Sequence, residues 1–307
     1  MLPLIDWQPR APLQRLHFDW LFQAGVEVSV LRLDLIDPLI SGNKWFKLNH
    51  HLRAAHTAGA HGLISLGGAH SNHLHALAAA GKRFGFATVG LLRGHAQHTP
   101  TVSDLERYGM QLHWLGYAGY RARHEPGFWL PWLAQYPNVH NVPEGGGGLA
   151  GAVGCMTLIM QVREQLGDVG WCDYDSWWLA AGTGTTLAGL VMAERGARPV
   201  YGALAVPDDY GVAPQVEAIL QQAACDSRHF ELIDASRGGF AKVDEALLGF
   251  IQQSEASSNL LLEPLYTAKA LLALKQAVEH GHFKRGMRVV FVHTGGLQGR
   301  RGFALKT

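Results

Sequence analysis

Short apolar runs alternate with stretches of helical periodicity along most of the chain. Segments 71–85, 101–109 and 185–196 have helical spacing and end in glycine, which predicts helices. The apolar runs between such stretches end in glycine or polar turns, which predicts strands. These runs are 61–67, 86–94, 110–116, 175–184, 198–206 and 287–296. This β–α–β–α succession predicts an α/β fold with mainly parallel sheets and flanking helices.

The segment SGNKWFKL (41–48) lies between two different patterns. Residues 26–40 before it alternate like a strand, and residues 49–59 after it read as a helix that ends in glycine. Lys44 therefore follows a Ser-Gly-Asn turn, with Lys47 three residues further on. A lysine at such a junction is a surface charge, a phosphate ligand or a nucleophile.

The composition agrees with a buried parallel sheet that has many tight turns. The chain has 307 residues, of which 48% are hydrophobic and 17% charged, with 37 glycines. The formal net charge of +1 and the lack of a basic block argue against a nucleic-acid partner. No apolar run approaches membrane-spanning length, and no signal peptide is visible at the N-terminus. We therefore expect a soluble, cytoplasmic protein without a membrane partner.

Cysteine and histidine spacing gives little support for a metal site. The three cysteines are far apart, which argues against a disulfide framework and a zinc knuckle. His70 and His73 would share a helix face, but no nearby acid or cysteine completes a ligand set. We predict no metal.

The segment GTGTT (182–186) connects a predicted strand to a predicted helix. Its backbone N–H groups and the hydroxyls of Thr183, Thr185 and Thr186 could hold an anion. It is not a P-loop, and Leu187 stands where the third glycine of G-x-G-x-x-G belongs. A tight strand-to-helix turn explains the segment equally well.

Three further segments place polar groups at the ends of predicted elements. In GGAHSNH (67–73), Ser71 and Asn72 are helix caps or ligand contacts. In EPLYTAKA (263–270), Tyr266 is a packing residue or presents its phenol to a cleft, and HTGG (293–296) ends a strand at Thr294. The glycine-rich segment 142–154 could be a hinge or allow close backbone approach to a ligand.

Taken in order, SGNKWFKL, GGAHSNH, GTGTT, EPLYTAKA and HTGG resemble one family. It is the 1-aminocyclopropane-1-carboxylate (ACC) deaminase / D-cysteine desulfhydrase family of pyridoxal-phosphate enzymes, with the tryptophan-synthase-β-like fold (fold type II). The resemblance spans about residues 10 to 300. It implies two α/β lobes with the cofactor between them, a large domain of 1–51 plus 154–307 and a small domain of 52–153.

The resemblance also implies roles for individual residues. Lys44 matches the Schiff-base lysine, Asn72 the partner of the cofactor's phenolic oxygen and Thr294 the position facing its pyridine nitrogen. The implied cofactor-binding set is Lys44, Lys47, Asn72, Thr183, Gly184, Thr185, Thr186 and Thr294. The implied catalytic residues are Lys44, Ser71 and Tyr266, and the implied substrate contacts are Ser71, Asn72, His73, Phe240 and Tyr266. A lysine beside a second cation loses its proton more readily, which fits Lys44 next to Lys47.

Departures from the family pattern bear on the substrate. ACC deaminases carry a glutamate after the tyrosine and a leucine in the last turn, whereas this chain has Thr267 and Thr294, as desulfhydrase-type members do. The pattern therefore favours β-elimination from D-cysteine over ring opening. Phe240 replaces a family tyrosine, and Trp45-Phe46 replaces the usual arginine after the lysine.

Several functions remain open at the level of sequence. The first is a D-cysteine desulfhydrase-like lyase acting on a small amino acid, and the second is an ACC deaminase. A racemase or β-replacement enzyme, a catalytically silent small-molecule binder and a nucleotide-binding regulator are the others. A homodimer is usual for the family that the chain resembles.

Overall fold

The computed structural model describes residues 7–226, 228–239, 241–303 and 305. The strands of this part of the chain are β1 (Leu13–Leu16), β2 (Glu27–Arg32), β3 (Gly62–Gly67), β4 (Ala87–Leu92), β5 (Gln111–Trp114), β6 (Val139–Asn141), β7 (Ser176–Ala181), β8 (Val200–Leu204), β9 (Phe230–Asp234) and β10 (Arg288–His293). The helices are α1 (Asp19–Ala24), α2 (Asn43–Thr57), α3 (Asn72–Phe84), α4 (Pro100–Arg107), α5 (Gly116–Arg121), α6 (Leu130–Gln135), α7 (Gly148–Cys155), α8 (Leu158–Arg163), α9 (Thr185–Glu194), α10 (Val212–Gln222), α11 (Glu245–Ser257) and α12 (Thr267–Glu279).

The strands form two sheets. The larger has the order β1-β2-β10-β7-β8-β9, in which only the β1–β2 pairing is antiparallel among the described strands. The smaller has the order β5-β4-β3-β6 and is parallel throughout. Central strands such as β3 and β7 are buried along their whole length, because helices cover both faces. The predicted α/β fold with mainly parallel sheets is confirmed.

The chain around residue 41 differs from the sequence prediction. Within 26–40 only Glu27–Arg32 is a strand, and a 3₁₀ turn follows at Leu33–Leu35. The buried Asp34 carboxylate lies 2.6 Å from the Arg32 guanidinium and 3.1 Å from the His293 ring, which holds this turn in place. Helix α2 begins at Asn43, earlier than its pattern suggested, so Lys44 lies in its first turn.

Glycines allow α2, α7 and α9 to pack with their backbones almost in contact. A Cβ at Gly154 of α7 would lie 1.9 Å from the carbonyl oxygen of Phe46 in α2. A Cβ at Gly189 of α9 would lie 2.4 Å from the carbonyl oxygen of Ala152 in α7. Larger residues at these points would separate the helices. Helix α7 thereby connects α2, which carries both lysines, to α9, the helix that follows β7.

Among the described residues, no helix is both long enough and apolar enough to cross a membrane.

Candidate active site

A cavity of about 560 Å³ lies where strands of both sheets end. Its lining includes residues at or just after the carboxyl ends of β3 and β4 in the smaller sheet and of β7 and β10 in the larger. Ligands of open α/β sheets bind at carboxyl strand ends, and cavities of this volume hold small molecules. The lining contains most of the residues singled out from the sequence. These are Lys44, Lys47, Ser71, Asn72, His73, Thr183, Gly184, Thr186, Tyr266 and Thr294.

The turn before Lys44 is held against the turn that follows β10. Gly42 has a positive φ of 76°, and a Cβ there would lie 2.1 Å from the Thr294 carbonyl oxygen. The Asn43 backbone N–H donates to that same oxygen at 3.1 Å. Two remote segments therefore share one backbone contact, which sets where α2 begins and directs Lys44 into the cavity.

Lys44 and Lys47 lie one helical turn apart on α2 and both line the cavity. Lys47 is buried, whereas Lys44 is partly exposed to the cleft. Burial lowers the pKa of the Lys44 amine well below its usual value, and the neighbouring Lys47 charge lowers it further. Burial also lowers the pKa of Lys47. The lowered pKa favours the neutral, nucleophilic form of the Lys44 amine.

The GTGTT segment forms the N-terminus of α9. Gly184 has a positive φ of 70° and receives no side-chain cap, so the first backbone N–H groups of α9 remain available. The hydroxyls of Thr183 and Thr185 are 3.1 Å apart, and the Asn43 amide donates to the Thr186 hydroxyl at 2.9 Å. Donor groups and the positive end of the helix dipole together suit a phosphate.

Ser71 and Asn72 occupy the start of α3. The Ser71 hydroxyl accepts from the Leu74 N–H at 3.1 Å, so Ser71 is the N-cap of this helix as well as part of the cavity wall. The Asn72 side-chain oxygen Oδ1 accepts from the Gln298 side-chain amide at 2.8 Å. This bond orients Asn72, whose amide nitrogen can then donate to a ligand. Gln298 was missed from the sequence because it lies beyond the HTGG motif.

His73 is buried in the wall of the cavity beside the two lysines. Its Nε2 is 2.7 Å from the Ser65 hydroxyl, and that hydroxyl donates its own proton to the Val142 carbonyl oxygen at 2.8 Å. Ser65 must therefore accept from His73, which places the ring proton on Nε2. The buried Nδ1 has no partner among the described residues. Burial and the charge of Lys44 lower the pKa of His73 well below its usual value. The His73 ring is therefore neutral, and its Nδ1 can accept a hydrogen bond.

Tyr266 is positioned by a glutamate that was not singled out from the sequence. The buried Glu263 carboxylate accepts backbone N–H bonds from Leu265 at 2.9 Å, Tyr266 at 2.6 Å and Thr267 at 2.8 Å. It thereby caps α12 and fixes the backbone of Tyr266 at the cavity. Burial raises the pKa of the Tyr266 phenol, and the Glu263 charge raises it further, so the phenol stays protonated. A carboxylate shortly before a helix start is the sequence signal that identifies such a cap.

Replacing Glu263 by glutamine should destabilise the protein and impair Tyr266 together. Glutamine has one acceptor oxygen for three N–H groups, and its amide would face a donor. We expect the free energy of unfolding to fall by about 1–3 kcal/mol and turnover to fall with it. Denaturant unfolding and steady-state kinetics measure both. Glu279→Gln at the exposed end of α12, where the carboxylate pairs with Lys275, should change the free energy of unfolding by less than about 1 kcal/mol. Equal losses in both variants would contradict the capping role.

Three further residues were predicted for the site, namely Thr185, Thr294 and Phe240. Thr185 is buried beside Thr183, and Thr294 is buried in the cavity wall beside Gly42. Phe240 lies outside the described residues. No group of three or more histidine, cysteine, aspartate or glutamate side chains suited to a metal ion occurs in the part of the chain that the structure describes.

The wall formed by the segments after β4, β5 and β6 was not foreseen from the sequence. It includes Arg93, Tyr120, Arg121, Arg123 and Glu144. The Arg123 guanidinium donates to the Glu144 carboxylate at 2.8 Å, and the Tyr120 hydroxyl donates to the same carboxylate. The three arginines and Tyr120 carry no motif, and only the fold brings them to Glu144, which lies in the glycine-rich segment 142–154.

Comparison with known proteins identifies the family. A family model described as "Pyridoxal-phosphate dependent enzyme" matches residues 8–295. The chain belongs to this family. Its cofactor is therefore pyridoxal 5'-phosphate.

Three known proteins are similar to this pyridoxal-phosphate enzyme along nearly its whole length. A Pyrococcus horikoshii protein named "Putative 1-aminocyclopropane-1-carboxylate deaminase" is 28% identical, covering 96% of this chain and 91% of its own. A Klebsiella pneumoniae protein named "D-cysteine desulfhydrase" is 27% identical, covering 89% of this chain and 87% of its own. A solved structure described as an ACC deaminase homologue has a TM-score of 0.81 at 24% identity, covering 96% of this chain and 94% of its own. This last likeness shows the shared fold.

The cavity of the enzyme fits pyridoxal phosphate. A lysine whose pKa is lowered can attack the cofactor's aldehyde, and the uncapped start of α9 can receive its phosphate. The Gly182 Cα faces the Tyr266 ring so closely that a Cβ there would lie 3.0 Å from it. This glycine lets the Tyr266 ring pack directly against the backbone of the proposed phosphate site.

Proposed function

We propose that this enzyme removes the β-substituent of a small amino acid, in the manner of a D-cysteine desulfhydrase. D-cysteine and water would yield pyruvate, hydrogen sulfide and ammonia. The observation that carries the proposal is that one cavity holds Lys44 with a lowered pKa, a protonated Tyr266 and the phosphate-binding start of α9. A relative named D-cysteine desulfhydrase, similar over 89% of the chain, supports it.

The bound pyridoxal phosphate would supply an electron-accepting ring that stabilises negative charge at the substrate Cα. Lys44 would carry the cofactor and accept the Cα proton, which its lowered pKa favours. The α9 N-terminus, Thr183 and Thr186 would hold the phosphate, with Lys47 as a nearby positive charge. Asn72 would donate to the phenolic oxygen through the amide that Gln298 orients.

The remaining residues would act on the substrate side. Ser71 and Tyr266 both present hydroxyls to the cavity, and the raised pKa of the phenol makes Tyr266 a proton donor to the departing substituent. Thr294 would face the ring nitrogen with a neutral hydroxyl. A nitrogen without a charged partner withdraws electrons less strongly, which suits elimination better than transamination. His73 would accept a hydrogen bond through Nδ1. For Phe240, a substrate contact stays a prediction.

ACC deaminase activity is the alternative, and the Pyrococcus horikoshii relative and the described structural homologue support it by their names. In that reaction ACC and water would yield 2-oxobutyrate and ammonia. The residue at position 267 favours desulfhydrase activity over ACC deaminase activity. The Thr267 hydroxyl is fully buried and donates to the Glu263 carbonyl oxygen at 3.2 Å, so this position offers no acid to the substrate.

A panel of D- and L-amino acids together with ACC, assayed for keto acid, tests the proposal. We expect pyruvate from D-cysteine and little 2-oxobutyrate from ACC. 2-Oxobutyrate as the main product would favour the alternative. A protein that binds pyridoxal phosphate but releases no keto acid from any member would contradict elimination. Loss of substrate chirality without keto acid would indicate a racemase instead.

We also propose that residues 1–51 plus 154–307 form the large domain and residues 52–153 the small one. These boundaries pass through α2 and α7, which pack against each other, so closure would bend the chain there. Closure would exclude water from the reacting atoms. A homodimer, usual for the resembled family, is proposed as well, and sedimentation of the holoenzyme measures it.

A further inference from the structure

One wall of the cavity carries more positive charge than its acidic residue can balance. Arg93 follows β4, Arg121 ends α5 and Arg123 lies in the next turn, and all three line the cavity. Glu144 is the carboxylate of this wall among the described lining residues. The wall, named here the arginine wall, therefore has two positive charges in excess.

The single carboxylate of the arginine wall is already engaged. Glu144 accepts from the Arg123 Nε at 2.8 Å and from the Tyr120 hydroxyl. Arg123 also stacks over the Tyr120 ring, with its guanidinium carbon 4.6 Å from the ring centroid. These contacts lock Arg123, Tyr120 and Glu144 into one unit with little capacity for a further ligand.

Arg93 and Arg121 are different, because they form no ion pair with any described residue. The Arg93 guanidinium carbon lies 5.7 Å from the centroid of the Tyr117 ring. Its backbone N–H is bonded to the Gly67 carbonyl oxygen at 3.0 Å, which ties it to the strand end that leads into Ser71. Burial raises the pKa of the Tyr120 phenol, and the positive charge of Arg93 partly offsets this increase. Arg93 thus belongs to the same electrostatic neighbourhood as the locked unit.

The cofactor does not account for this charge. Its proposed phosphate site is at the start of α9, where Lys47 and the threonines lie. A substrate α-carboxylate can be placed at the start of α3, where Ser71 and Asn72 lie, which leaves Arg93 and Arg121 without an anion. Unpaired guanidinium groups at a binding cavity favour ligands that carry oxyanions, because these accept two charge-assisted hydrogen bonds from one arginine.

We propose that the preferred substrate is a β-substituted amino acid whose leaving group is an oxyanion, such as a phosphate or sulfate ester of serine, held by Arg93 and Arg121. This inference rests on the proposed elimination and names its substrate class. With a phosphate ester the Cα–H and Cβ–O bonds break, and phosphate leaves with the electron pair of the Cβ–O bond. Water then completes the formation of pyruvate and ammonia. D-cysteine would undergo the same chemistry more slowly.

The test compares anionic and neutral substrates on the holoenzyme. O-phosphoserine and serine O-sulfate are assayed against O-acetylserine and cysteine, as D- and L-isomers, for pyruvate and for changes in the cofactor's absorbance. We expect kcat/KM to be at least about tenfold higher for the anionic esters, the usual effect of one hydrogen bond to a charged group. Arg93→Gln and Arg121→Gln should each remove about this factor for the esters and leave the neutral substrates within about twofold.

Lys82→Gln is the matched control, since Lys82 is an exposed cation of α3 and does not line the cavity. It should leave the preference intact. Equal losses for anionic and neutral substrates in the arginine variants would show general attraction of amino acids and overturn the inference. A preference for neutral substrates in the wild-type enzyme would overturn it as well.

The absorbance readout separates this inference from the proposed function. If the anionic esters change the cofactor spectrum most strongly but no substrate gives pyruvate, the proposed elimination is wrong and the proposed anion site stands. If cysteine gives pyruvate but the anionic esters cause no spectral or kinetic response, the proposed elimination stands and the proposed anion site is wrong.

Discussion

Replacing Lys44 by alanine should abolish the visible absorbance of bound pyridoxal phosphate and reduce turnover on the order of 10³-fold or more. The variant loses both the covalent attachment of the cofactor and the base for the Cα proton, and a base alone contributes about 10²–10⁴-fold. The Lys44 side chain faces the cavity, so its truncation leaves the packing of α2 unchanged. The free energy of unfolding of the apoprotein should therefore stay within about 0.5 kcal/mol of the wild-type value.

Lys47 provides the matched control because it lies on the same helix and lines the same cavity. Lys47→Gln should retain the visible band at saturating cofactor, with a weaker affinity that reflects the lost positive charge near the phosphate. Borohydride reduction followed by peptide mapping should label Lys44 in the wild-type protein and in Lys47→Gln. A band that persists in Lys44→Ala and disappears in Lys47→Gln would reverse the two assignments.

The sequence predicts the parts of the site that come from strand ends. Glycines and small hydroxyl residues follow β3, β7 and β10, and parallel strands bring their carboxyl ends to one edge. Ser71 and Thr183 could be selected in this way, and Lys44 could be selected because it follows a Ser-Gly-Asn turn at a helix start. That each lines one cavity follows from the fold, and the confirmed family membership agrees with it.

The parts that escaped prediction depend on contacts between remote segments. Gln298 matters because it reaches Asn72, 226 residues away in the chain. Arg93 and Arg121 are unremarkable surface residues until the smaller sheet brings them to the cavity. The edge strands β1 and β9 also escaped prediction, because they are short and lack a fully buried pattern. Glu263 could have been found locally, since it stands just before the helix that it caps.

Substituting Gly42 by alanine should disrupt the junction that joins the Lys44 turn to the end of β10. At φ 76° and ψ −166° a non-glycine residue costs about 1–3 kcal/mol, and forcing a methyl group into a packed site costs about 1–3 kcal/mol more. The added Cβ would lie 2.1 Å from the Thr294 carbonyl oxygen and 2.9 Å from the Gly295 Cα. Both are backbone atoms that no side-chain rotation can move away. We expect the free energy of unfolding to fall by about 2–6 kcal/mol and cofactor affinity to fall at least tenfold.

Gly59→Ala separates the two contributions to this loss. Gly59 follows α2 with a positive φ of 67°, but a Cβ there would meet no atom within 4 Å. It should therefore show only the conformational cost of about 1–2 kcal/mol, with cofactor affinity unchanged. Denaturant unfolding of both apoproteins and titration with pyridoxal phosphate measure the difference. If the two variants lose equal stability and both bind the cofactor normally, the contact between Gly42 and Thr294 does not position Lys44. A loss of affinity confined to Gly42→Ala would mean that one shared backbone contact couples the cofactor lysine to the opposite wall of its site.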